Sequence, residues 1–136
     1  MTEEMSRWLA ITFLLSVLFG CIGLPIKRIG LPQAQPLPPY MLSDADMNAI
    51  LRGIYSAVKD VDEPSLRNVK GARVSGGDVY ICGWMSFRGT GGNRTTERPF
   101  IGTLSAGRFS LGRISEGNPY SDAEVVTNCQ ERGVSI

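Results

Sequence analysis

The sequence predicts a small α+β domain: an antiparallel sheet of about four strands, covered by an N-terminal amphipathic helix and followed by a short C-terminal helix. Three observations predict it. Apolar residues recur at helical spacing from Met47 to Val58, then alternate at the two-residue period of strands between Val69 and Ile114. Glycine-rich turns cut the alternating part into short runs. Two cysteines, Cys82 and Cys129, fall in one of those runs and in the last helical stretch.

The elements follow in order. Ser43 and Asp46 form a capping box with Asp in the usual place of Glu. Met47, Ile50, Leu51, Ile54, Tyr55 and Val58 then share one helical face, while Asn48, Arg52, Lys59 and Asp60 lie mostly off it. Pro64 cannot continue a helix, so the element covers 43–60. Val69 to Ser75 reads as a first strand, turned by Gly76-Gly77-Asp78 into a second that runs from Val79 to Phe87. Alternation puts Tyr80, Cys82 and Trp84 on one face of that strand and Ile81 and Met85 on the other. A third strand, Pro99 to Ser105, turns at Gly107 into a fourth, Arg108 to Ile114. Ser121 and Glu124 repeat the capping-box spacing and open a helix through Arg132 that Gly133 stops.

Ahead of this domain, at 43–136, lie two segments of different character. Residues 1–21 hold Arg7, an uncharged apolar run from Trp8 to Phe19, then Gly20 and Cys21. That order reads as an export signal whose cleavage leaves Cys21 free for lipid attachment. The opening Met1-Thr2-Glu3-Glu4 is acidic where such signals are basic, which makes Met5 an alternative start. An uncleaved anchor over residues 8–24 stays open; it is short for a membrane span. Lys27 and Arg28 would then hold the domain in the cytoplasm by the positive-inside rule. Residues 22–42 carry Pro25, Pro32, Pro36, Pro38 and Pro39 and read as a semi-rigid spacer.

Composition narrows the chemistry. A hydrophobic content of 43% in 136 residues suits one globular domain, and a net charge of +1 gives no reason to expect nucleic acid as a partner. No histidine occurs, which removes the commonest general base and the commonest nitrogen ligand of metals. Two cysteines without histidine do not complete a tetrahedral site, so neither metal nor cofactor is expected. With Cys21 assigned to lipid, Cys82 and Cys129 remain as an even pair for a disulfide in an oxidising compartment, two separate buried thiols being the alternative.

From Ile50 onward the chain resembles a family of small exported proteins of unknown function from alphaproteobacteria and their phages. The resemblance rests on Val58-Lys59-Asp60 with Pro64-Ser65 after it, on Tyr80-Ile81-Cys82-Gly83, on Gly91-Gly92, on Arg98-Pro99-Phe100 and on the late Cys129. The chain departs from the family pattern where Val61-Asp62-Glu63 precedes the proline and where Trp84 to Arg88 replaces an Asn-rich stretch. The resemblance implies an exported α+β domain and carries no activity.

One candidate binding site stands out. Arg88, Gly91, Gly92, Arg94 and Arg98 surround a glycine-rich loop, where backbone N–H groups and guanidinium groups can converge on an anion. Tyr80, Trp84, Phe87, Phe100 and Phe109 are candidates for an aromatic patch on the face left uncovered, or for core. No catalytic residues are assigned: no histidine is present to activate a serine, and Glu97, Glu116 and Asp122 read as loop surface. The expectation is a cell-envelope lipoprotein with a non-enzymatic binding or scaffolding role, its partners the membrane and an envelope protein or glycan. It would face the periplasm, the outer membrane being favoured because Ile22, not aspartate, follows Cys21. The alternatives are a phage-encoded envelope or lysis-associated lipoprotein, an envelope enzyme acting on glycan or lipid, and a cytoplasmic domain on an inner-membrane anchor.

Overall fold

A computed structural model describes residues 35–59, 62–89 and 91–136. The expected export signal, Cys21, the anchor at 8–24 and most of the spacer lie outside the described residues. Among the described residues no helix is long and apolar enough to cross a membrane.

The chain forms β1 (Pro39–Tyr40), α1 (Asp44–Ala57), β2 (Asp62–Arg73), β3 (Val79–Arg88), β4 (Arg98–Ser105), β5 (Arg108–Ile114) and α2 (Pro119–Glu131). The five strands make one sheet in the order β1-β2-β3-β4-β5, every neighbouring pair antiparallel. The architecture is α+β, as expected, with one more strand. The extra strand is β1, whose Pro39 and Tyr40 pair with Ala72 and Gly71. Proline is tolerated there because the strand lies at the sheet edge, where its missing N–H leaves no ladder bond unmade.

The end of the expected spacer therefore belongs to the folded part. Leu37 N donates to Arg132 O at 3.3 Å, Arg73 N donates to Pro38 O at 2.8 Å, and Tyr40 and Leu42 pack on the core. A second correction concerns β2, which starts at Asp62 instead of Val69. Pro64 lies inside this strand, within an irregularity between Asp62 and Ser65, and a second irregularity falls between Arg67 and Lys70. Glu63 (φ 44°) and Asn68 (φ 51°) take the left-handed backbone there, as bulged strands allow.

The two helices lie on opposite faces of the sheet. α1 buries Ala49, Ile50 and Ile54 with Val79, Ile81, Met85, Phe100 and Phe109. It follows β1 within the folded part, and it rests chiefly along β5 instead of spreading across the sheet. Gly53 explains the close approach: a Cβ there would stand 2.5 Å from the Phe109 carbonyl oxygen. On the other face, Val125 and Cys129 of α2 pack with Ala72, Tyr80, Cys82 and Val134.

The caps are specific. Ser43 caps α1: Asp46 N donates to Ser43 Oγ at 3.2 Å and Ser43 N donates to Asp46 Oδ2 at 2.9 Å. Tyr40 OH also donates to Asp46 Oδ2, at 3.2 Å, tying β1 to the helix start. The Ser43 backbone bond, then its hydroxyl, hold the Asp46 carboxyl below its usual range against a smaller opposing effect of burial. A depressed folded pKa means stabilisation that is present at neutral pH and is lost as the pH falls through that lowered value. The stability difference between the wild type and Asp46→Ala, measured by urea titration, is therefore expected to stay constant from pH 7 to about pH 5 and to shrink as the pH falls through about 4 and below. A gap independent of pH would refute the assignment. The α2 cap is Asn118, which accepts from Tyr120 N and Ser121 N with Pro119 at the first helical position, in place of the expected Ser121–Glu124 box. Glu124 instead forms a bidentate pair with Arg113 of β5, at 2.5 and 2.7 Å.

Candidate functional site

Cys82 and Cys129 are joined by a disulfide, with Cα atoms 6.2 Å apart and both residues fully buried. Alternation along β3 places Cys82 on the α2 face, and the 3.6-residue period of α2 puts Cys129 one turn beyond Val125 on the same face. Sheet and helix are thus cross-linked at the centre of the second core cluster. Tyr80 lies in that cluster beneath the Arg132 guanidinium, 4.6 Å from its ring centroid. Burial pushes the Tyr80 phenol up, against the pull of Arg132.

The glycine-rich loop is differently arranged from an anion cradle. Gly89 N donates to Asn93 O and Gly92 N donates to Gly89 O, each at 2.9 Å, so two amides that a cradle needs are already used. Gly91 and Gly92 have open space around them, Gly92 at φ 77°. Arg88 and Arg94 are bridge partners across this loop. Both turn to Glu63: Arg88 Nε lies 3.4 Å from its carboxylate, and Arg94 Nη1 donates to its carbonyl at 3.5 Å. Arg98 is separated from them. Its register partner is Met85, on the opposite face from Arg88, and its Nε is buried beside Gly117 without a hydrogen-bond partner. Of the five residues, then, the structure brings together Arg88 and Arg94, and it answers both from within the chain.

Glu63 was not visible as a partner in the sequence, where Asp62-Glu63-Pro64 reads as a helix stop. Only the irregularity at the start of β2 turns it towards Arg88. The neighbouring surface is built the same way. Arg67 of β2 pairs with Glu97, just before β4, so the contact reaches across β3 beside Trp84 and Ser86. Trp84 is half-buried and belongs to neither core cluster, whereas Tyr80, Phe87, Phe100 and Phe109 are core. The expected aromatic patch reduces to Trp84, whose register partner on β2 is Arg67 of the Arg67–Glu97 pair.

A buried polar network holds α2 to the end of β5. Ser115 Oγ contacts Ser121 Oγ at 2.8 Å and donates to Asp122, while Gly117 N and Glu116 N donate to Ser115 Oγ and Ser121 Oγ. Ser115 is 1% exposed, which makes it a structural tether and keeps substrate from reaching it. Among the described residues no group of acids and cysteines could hold a metal ion.

Two surface grooves, each of about 490 Å³, lie away from the loop. One follows the β1–β2 edge past Met41, Leu42, Lys70 and Val134; the other lies between α1 and the β4–β5 turn. Compared with known proteins, the chain matches no family model, no curated protein and no solved structure.

Proposed function

We propose that the chain is a membrane-anchored lipoprotein of the cell envelope with a non-enzymatic binding or scaffolding role, held through lipid on Cys21 and facing the periplasm. The observation that carries this reading is the Cys82–Cys129 disulfide. Disulfides persist in oxidising compartments and are rare in the cytosol. The pairing also accounts for the odd cysteine count, leaving Cys21 as the remaining thiol behind an apolar run that ends in Gly20. It speaks against the inner-membrane anchor with a cytoplasmic domain, which would sit among reducing thiols. The enzymatic alternative gains nothing from Arg88 and Glu63, whose side chains are 50% and 63% exposed on open surface. The phage-encoded alternative differs in gene context rather than chemistry, and lysis genes beside the coding sequence would favour it.

The test is metabolic labelling of the full chain with a radiolabelled fatty acid in a bacterial host. Label and membrane retention are expected in the wild type and lost in Cys21→Ser. An unlabelled wild type, or a domain digested by added protease only from the cytoplasmic side, would overturn the reading.

A further inference from the structure

The nine described arginines differ sharply in what answers them. Arg67, Arg88 and Arg113 pair with carboxylates, Arg94 donates to a carbonyl, Arg73 and Arg132 lie over tyrosine rings, and Arg98 is packed against Gly117. Arg52 and Arg108 have no such partner among the described residues. These same two line one groove, the 490 Å³ space between α1 and the β4–β5 turn. Arg52 comes from the helix and Arg108 from the first position of β5, so the charges approach from two elements.

The rest of the groove favours an anion for the same reasons. Asp44 and Asp46, the acids of α1, sit in its first turn, away from Arg52. Gly107, around which a Cβ would meet nothing within 4 Å, leaves the lining low, and the amides of Ala106 and Gly107 take no part in the turn and loop hydrogen bonds. Ser56 Oγ donates to the Arg52 carbonyl at 2.9 Å, so its proton is engaged and the guanidinium groups are the main donors. Guanidinium forks match the oxygens of phosphate in geometry and charge.

We infer that the groove between α1 and the β4–β5 turn binds a phosphate group, through Arg52 and Arg108. Its source is a phospholipid headgroup or a free phosphate ester, which share this chemistry. The site is independent of lipid on Cys21, so its failure leaves that reading standing.

The test uses the full chain in detergent, ¹⁵N-labelled, titrated with inorganic phosphate at constant ionic strength. Saturable amide shifts are expected at Arg52, Gly53, Gly107 and Arg108, and Arg52→Gln or Arg108→Gln should each weaken binding roughly tenfold. Arg88→Gln with Arg94→Gln should leave it unchanged. Both arginines of the groove are exposed, and an unchanged spectrum elsewhere reports that the variants fold. Shifts that do not saturate, that chloride reproduces, or that survive both groove substitutions would overturn the site. A parallel titration compares glycerol 1-phosphate with phosphatidylglycerol in mixed detergent micelles and separates the sources: tighter binding to the lipid assigns a headgroup, and equal or weaker binding assigns the free ester.

Discussion

Urea denaturation of the Cys82→Ala, Cys129→Ala chain is expected to show a loss of about 4 kcal/mol relative to the oxidised wild type. The bond closes a sequence separation of 47 residues, and that length sets the unfolded-chain entropy it removes. Most small domains hold only about 5–15 kcal/mol in total, so this is a large fraction of the whole. Because both residues are fully buried, the double substitution also leaves a void beside Val125 and Tyr80, which acts in the same direction. Adding reductant to the wild type separates the two effects, since it removes the bond and keeps the sulfur atoms in place. A wild-type midpoint that reductant does not move would contradict the cross-link.

The second large effect is expected at Gly102. A Cβ there would run into the Phe109 ring and stand 2.6 Å from the Ser110 carbonyl oxygen. Phe109 is 8% exposed and meets Phe100 edge-on with centroids 6.2 Å apart. Gly102→Ala must therefore push the ring out of its site or shift β5. Losing most of the Phe109 burial costs about 2–3 kcal/mol, and the aromatic pair about 1 kcal/mol more. Alanine returns about 0.5–1 kcal/mol by restricting the unfolded backbone, so steric displacement wins and the net loss is about 2–3 kcal/mol. Gly112→Ala is the control: its Cβ would meet only the Ile101 carbonyl oxygen, at an ordinary 3.5 Å. Equal urea midpoints for the two variants would refute this account.

The parts of the fold that were legible in the sequence are those fixed by neighbours along the chain. The α1 cap at Ser43 and Asp46, the alternation through β3 and the tight turn at Gly107 each rest on a few consecutive residues. The parts that were not legible depend on contacts made elsewhere. β1 exists because Gly71 and Ala72 offer it a partner, which no property of Pro39 or Tyr40 announces. Pro64 reads as a stop, yet it is also a residue of extended backbone, and the bulged β2 accommodates it. Asn118-Pro119 was a stronger start signal for α2 than Ser121 with Glu124, and Glu124 is drawn off by Arg113 across the gap to β5.

The candidate loop illustrates the same limit. Glycines and arginines in sequence show which groups are present, whereas their availability depends on which acids fold back onto them. Glu63 and Glu97 lie far from Arg88 and Arg67 in the chain and answer both. The unanswered arginines, Arg52 and Arg108, lie in separate elements, and only the packing of α1 on β5 makes them neighbours of one groove.

The strand order also permits stepwise assembly. Each strand pairs with the one made just before it, so a chain emerging N-terminus first can add strands singly, and none waits for a distant partner. Cys129 emerges after all five strands, and its partner Cys82 is by then flanked on both sides. The bond cannot form before Cys129 has emerged, so the strand order leaves the sheet free to assemble first, with the cross-link closing over it as a latch.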